Sequence, residues 1–137
     1  MNGRVLALDV GDKRIGIAVS DMTRLIATPH SVYTRVGYTP DVKHVCRLCG
    51  ELGADLVVCG LPRNMDGSIG FQAEKVMAFA EKLKEAGLEV VFQDERLSTV
   101  SAHQALIQGG IRRDDRKGVV DKVAAAVILQ QYLDGAS

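Results

Sequence analysis

Residues 5–16 read VLALDVGDKRIG, and this stretch decides how the rest of the chain is understood. Val5-Leu6-Ala7-Leu8 is aliphatic on both faces, the pattern of a strand buried in the middle of a sheet. The run ends on an acid, Asp9, and then reaches Gly11. A carboxylate at the end of a core strand is costly to desolvate unless something pairs with it. Gly11 to Lys13 turn the chain, and residues 14–21 return it as a second strand, antiparallel to the first. There Ile15, Ile17 and Val19 share one face, while Gly16, Ala18 and Ser20 share the other. The second face is so small that something must pack or bind close to its backbone.

Working outward, residues 25–34 form a third strand, which Pro29 assigns to a sheet edge. Thr39-Pro40-Asp41 reads as a helix start, with Thr39 as cap and Pro40 in the first turn, and Gly53 as the stop. Residues 55–60 are a short buried strand and Pro62 to Gly70 a loop. A helix follows with Val76, Phe79, Ala80 and Leu83 on one face, ending near Gly87. Residues 88–92 are a fifth strand, Ser98 caps a helix that stops at Gly109-Gly110, and residues 119–133 close the chain as a helix. A meander of three strands followed by alternating strands and helices gives a mixed α/β sheet. Right-handed crossovers place the fourth and fifth strands beyond the first, in the order 3-2-1-4-5. The first strand is then central, and Asp9 lies at the strand ends where such sheets bind ligands.

Composition narrows the classes. The 137 residues suit one domain, 1–137, able to bury about two thirds of its unfolded surface. A hydrophobic share of 47% argues for a packed core over disorder. No apolar run approaches a membrane span, and Asp9 interrupts the N-terminus where a signal peptide needs its apolar core, so the expectation is a cytoplasmic protein without membrane contact. Lys plus Arg and Asp plus Glu both count 17, so any attraction to nucleic acid must come from how charge is distributed. Basic residues cluster at Lys13-Arg14 and in a loop running from Arg112 to Lys117. Cys46 and Cys49 form a CxxC with no second pair to complete a zinc site, and Cys49 falls in a helical apolar set with Val42, Val45 and Leu52. His30, His44 and His103 have no ligand spacing.

Two further acids occupy places comparable to that of Asp9. Glu95 follows the fifth strand's apolar run, and Asp121 opens the last helix. In the order 3-2-1-4-5, strands one and five end on the same side, and a helix laid across it brings Asp121 there. Three crowded carboxylates repel, and a divalent cation resolves the conflict. Oxygen-only donors with open positions favour Mg²⁺ or Mn²⁺, one or two ions, the arrangement that activates water against a phosphodiester. Each acid alone has a plainer explanation: Asp9 capping a turn, Asp121 favouring a helix N-terminus, Glu95 pairing with an arginine.

Taken together, LALDVGDKRIGIAVSD, GLPRNMDGSIG, DERLSTVSA and VDKVAAAVILQQYL resemble the YqgF/RuvX family of small nucleases with an RNase H-like fold. The resemblance spans nearly the whole chain. It implies a metal-dependent nuclease that matures the 5′ end of pre-16S ribosomal RNA, with a precursor ribosomal particle as partner. Its alternative is a Holliday-junction resolvase acting on branched DNA. It places the catalytic and metal-binding acids at Asp9, Glu95 and Asp121. Asp94 is a poor fourth, because neighbours on a strand point to opposite faces. Where many relatives read DERLTT, this chain has DERLST, which keeps a hydroxyl for helix capping.

Around these acids, Gly11 lets the turn approach a phosphate, while Lys13 and Arg14 neutralise backbone charge. Arg63 and Asn64 flank the site from the loop after the fourth strand, Arg96 touches substrate or orients Glu95, and Arg112 and Arg113 guide nucleic acid in. With aromatic residues at 4%, backbone contacts and shape outrank base stacking as the expected recognition mode. DVGDKRIGIAVSD also resembles the phosphate-binding hairpin of actin-like ATPases, which leaves a non-catalytic nucleotide- or nucleic-acid-binding module as a third reading.

Overall fold

The computed structural model describes residues 3–62, 66, 68–94 and 113–136. Its five strands are β1 (Arg4–Val10), β2 (Arg14–Ser20), β3 (Ala27–Thr34), β4 (Ala54–Leu61) and β5 (Val90–Asp94). The helices are α1 (Tyr38–Leu52), α2 (Phe71–Glu85) and α3 (Arg113–Ala136). The sheet runs β3-β2-β1-β4-β5, the expected order, with β1–β2–β3 antiparallel and β1–β4–β5 parallel. β1 is central, and β3, with Pro29, forms an edge.

Each face of the sheet buries its own core. Leu6 and Leu8 of β1, Ile15 and Ile17 of β2, and Val57 and Cys59 of β4 pack against Val45 of α1 and Phe79 and Leu83 of α2. The alternate residues, Val5 and Ala7, Ala18, Leu56 and Val58, face Ala125, Ile128 and Leu129 of α3. The period-2 alternation of the strands therefore decides which residues meet which helix. The small face of β2 is the one α3 covers, as the sequence required. Cys49 lies in the first core, where burial pushes its thiol up to about 11. That holds it protonated and unreactive.

Of the boundaries that differ from expectation, three bear on how the elements are held. α1 starts at Tyr38 with Gly37 as its cap, so Thr39 and Pro40 lie inside the first turn and the cap residue has no side chain to accept from the first helical N–H groups. Asp41 does the capping from within: its Oδ1 accepts from the backbone N–H of Val36 at 2.9 Å and Gly37 at 3.3 Å, and its Oδ2 from Arg35 Nε at 2.9 Å. β5 begins at Val90 because the Leu88 N–H turns back to the Leu83 carbonyl at 3.1 Å, closing the end of α2 over Gly87 in a left-handed conformation (φ 100°). α3 begins at Arg113, so the basic stretch expected as a loop is helical from there, and Asp121 lies in the third turn of α3. The expected helix from Ser98 to Gly109-Gly110 lies outside the described residues.

Asp41 is fully buried, so it carries stability in proportion to its partners. Burial pushes its carboxyl up, but the Val36 N–H, the Arg35 guanidinium, the Gly37 N–H and the Tyr33 hydroxyl outweigh that and hold it below the usual carboxylate range. With the folded pKa lowered, this contribution is complete above the unfolded value of about 3.9 and is lost as pH falls through the lower folded value. Asp41→Asn keeps the size but leaves Arg35 without its anion, with an expected cost of about 2 kcal/mol at neutral pH. Urea unfolding of both proteins from neutral pH down to pH 3 checks this. The gap should narrow as the wild type loses its advantage, and a gap constant with pH would remove the charge from the account.

Candidate functional site

Asp9 lies on the α3 face of β1, in line with Val5 and Ala7, and is partly exposed near the strand's carboxyl end. Its partner across the ladder is Gly16 of β2. Directly over Gly16 runs the backbone of α3. A Cβ built on Gly16 would lie 1.9 Å from the Asp121 carbonyl oxygen and 2.3 Å from its carbonyl carbon, so only glycine allows the helix to sit there. Strand pairing and helix docking thus bring Asp9 and Asp121 to the two sides of one glycine.

The Asp121 carboxylate faces Arg14 at the start of β2, with Nε to Oδ2 at 2.5 Å. The structure therefore seats Arg14 on one of the predicted metal-binding acids, a role the basic cluster Lys13-Arg14 did not announce. Both side chains are partly exposed, at 34% and 23%, so the pair remains within reach of a ligand.

The turn joining β1 to β2 is tightly fastened. The Gly11 N–H donates to the Arg14 carbonyl at 2.8 Å, and a Cβ on Gly11 would lie 2.9 Å from that same oxygen. Arg35 binds the turn from outside: Nη1 donates to the Gly11 carbonyl and its backbone N–H to the Lys13 carbonyl, both at 2.9 Å. The Arg35 Nε in turn rests on buried Asp41. A chain of bonds thus runs from the core at the start of α1 to the turn that follows Asp9. Neither Arg35 nor Asp41 carried a functional signature in the sequence. Their partners are fixed by the β2–β3 hairpin, and spacing along the chain does not reveal them. Lys75 of α2 reaches the same turn, with Nζ 3.2 Å from Asp12 Oδ1.

Asp94 lies on the face of Val90 and Phe92, away from α3, consistent with its exclusion as a fourth acid. Glu95, Arg96, Arg63, Asn64 and Arg112 lie outside the described residues, and of Arg113 the helical backbone alone is described. Among the described residues, no three His, Cys, Asp or Glu side chains are grouped to hold a metal ion. The acids Asp9 and Asp121 supply oxygen donors on one face, a donor type that suits a hard divalent cation. Also among the described residues, no helix is long and apolar enough to cross a membrane.

A family model described as "RuvX: Holliday junction resolvase" matches residues 3–135. A relative from Caldanaerobacter subterraneus subsp. tengcongensis, named "Putative pre-16S rRNA nuclease", is 50% identical over 96% of this chain and 96% of its own. A relative of the same name from Clostridioides difficile is 46% identical over 98% of this chain and 96% of its own. Among solved structures, T. thermophilus RuvC in complex with a Holliday junction substrate aligns with a TM-score of 0.61 at 16% identity, covering 98% of this chain and 95% of that one. Fowlpox virus resolvase in complex with Holliday junction DNA aligns with a TM-score of 0.59 at 14% identity, covering 97% and 98%. At such identities these two likenesses concern the fold alone, which is RNase H-like.

Proposed function

The chain belongs to the RuvX family, and on that premise we propose that it is a metal-dependent nuclease whose substrate is the 5′ region of pre-16S ribosomal RNA. The observation that carries the reading is that Gly16 has Asp9 beside it in the sheet and the Asp121 backbone above it, so both acids belong to the α3 face at the end of the central strand. Relatives at 46% and 50% identity over almost their full length support the choice of substrate. Residues 1–137 then act as one nuclease domain, working in the cytoplasm where ribosomes are assembled.

In this reading Asp9, Asp121 and Glu95 hold one or two Mg²⁺ or Mn²⁺ ions, which when bound supply Lewis acidity and an activated water. The chain's own residues hold that arrangement in place. Gly16 lets α3 approach, Arg14 fixes the direction of the Asp121 carboxylate, and Arg35 with Asp41 holds the turn after Asp9. Lys13, exposed on the same turn, supplies a positive charge for the phosphate backbone.

Arg14 gives a test of this division of labour. Arg14→Gln should cost under about 1 kcal/mol of stability, as for other partly exposed ion pairs. Cleavage should fall by about 10–100-fold, the usual effect of losing a group that orients a metal ligand. Thermal melts and single-turnover cleavage measured on the same preparation separate the two effects, with Arg14→Lys recovering part of the rate through the single Nε contact it can replace. Unchanged cleavage by Arg14→Gln would leave the pair a surface ornament.

The proposal is tested with Mg²⁺ or Mn²⁺ and three substrates: a 5′-extended ribosomal RNA leader, single-stranded RNA, and a four-way DNA junction. Metal-dependent cutting of the leader is the expected result. The description of the matching family favours a second reading, a junction resolvase. Paired cuts in opposed strands by a two-fold dimer would establish that reading instead.

A further inference from the structure

A hollow of about 340 Å³ opens beside the β1–β2 turn, lined by Asp12, Arg35, Val36, Gly37, Tyr38, Asp41 and Lys75. It lies at the same end of the sheet as the Asp9 turn, since Asp12 follows that acid by three residues and Arg35 bonds to Gly11, but on the side of α1 and α2, whereas Asp9 belongs to the face that α3 covers. Its lining includes two exposed apolar groups, Val36 at 78% and Tyr38 at 43%, and the lining Lys75 meets a third, Phe71, which is 73% exposed. Two of these are aromatic rings that already carry cations. Lys75 Nζ stands 4.5 Å from the centre of the Phe71 ring, and Lys82 Nζ stands 5.0 Å from that of Tyr38.

The charges lining the hollow cancel in pairs. Arg35 is matched by Asp41 and Lys75 by Asp12, at 2.9 and 3.2 Å. A hollow balanced in this way offers little to a phosphate. It suits a flat, uncharged group with polar edges that can lie against a ring, and a nucleobase is such a group. The cations beyond the lining, Lys13 on the turn and Lys82 beside Tyr38, are placed to meet the phosphates on either side of that base.

We propose that this hollow seats an unpaired base of the RNA substrate beside the β1–β2 turn, around the end of the sheet from Asp9 and Asp121, stacked on Tyr38 and Phe71. The proposal deepens the nuclease reading and rests on it for the identity of the polymer. It assigns the enzyme a preference for a strand that leaves a duplex near the cut. It also gives stacking a part in recognition that the low aromatic content had argued against: two exposed rings suffice when they stand beside the turn that follows Asp9.

The test is binding in EDTA, where no cutting occurs, read by fluorescence anisotropy of a labelled short RNA duplex, blunt or with a few unpaired nucleotides. The overhang should tighten binding by about tenfold, the scale of one stacked base. Phe71→Ala and Tyr38→Ala should each erase most of that gain while blunt-duplex affinity stays within about twofold, and Tyr38→Phe should keep it. Phe71 is exposed enough that its loss leaves the fold intact, so this variant decides the matter if Tyr38→Ala unfolds. Equal affinity for blunt and overhanging RNA, a gain that survives Phe71→Ala, a gain confined to DNA overhangs, or no binding at all would each overturn the proposal. Loss of cleavage with the overhang gain intact would sink the nuclease reading alone.

Discussion

Asp9→Asn is expected to lower metal-dependent cleavage of the leader RNA by at least about 10³-fold, since a metal-binding carboxylate accounts for several kcal/mol of transition-state stabilisation and each 1.36 kcal/mol is tenfold. The substitution changes one oxygen to an amide nitrogen, removes one negative charge and keeps the volume. Asp9 is partly exposed and lies at a strand end, so the core on either side of β1 is left intact. Stability without metal should stay the same or rise slightly, because one negative charge fewer lies on the face that carries Asp121. With Mg²⁺ present, the wild type should gain thermal stability that the variant does not, as expected when a ligand binds the folded state alone. Cleavage at the wild-type rate by Asp9→Asn would take this residue out of the mechanism. An unfolded variant would assign the carboxylate a structural role instead.

Gly16→Ala carries the second large effect, and it acts on stability and cleavage together. A methyl group at this position would sit 1.9 Å from the Asp121 carbonyl oxygen, a backbone atom that no rotamer change can move aside. Restoring contact distance requires α3 to lift from the sheet, which separates Ala125, Ile128 and Leu129 from Val5, Ala7 and Val58. Overpacking of this kind costs about 3 kcal/mol. The stiffer unfolded chain of an alanine variant returns less than about 1 kcal/mol, so the clash wins. For a chain of this size the melting temperature should drop by roughly 10 °C. Cleavage should fall more than stability, since the same displacement carries Asp121 away from Asp9. Gly50→Ala is the matched control. Nothing lies within 4 Å of a Cβ built at Gly50 inside α1, and the gain in helix propensity should add up to about 1 kcal/mol. If Gly16→Ala melts like the wild type and cuts normally, the close approach of α3 is not what places Asp121.

Much of the architecture was legible because it rests on local periodicity. A run apolar on both faces in 4–10 and alternation in 14–21 marked two adjacent strands, and the run Gly16, Ala18, Ser20 announced that something would come close to the backbone there. Right-handed crossovers then left few orders open to the last two strands, and the observed order is the expected one. The boundaries that shifted are those set by tertiary hydrogen bonds: the start of α1, drawn back to Tyr38 by Asp41, and the start of β5, delayed by the Leu88 N–H. Asp9 and Asp121 were legible as acids out of place at the ends of apolar segments.

The sequence by itself determined the order of the strands and the face each strand residue takes, because periods of 2 and 3.6 residues are written in neighbouring positions. Tertiary structure alone decided which side chain holds which. Arg14 meets Asp121 across 107 positions of chain, and Arg35 joins Gly11 and Asp41 from a hairpin that exists only once the sheet has formed. An arginine reaches far and bends freely, so its sequence neighbours carry no record of its partner. The packing of α3 on β2 is what brings Arg14 to Asp121.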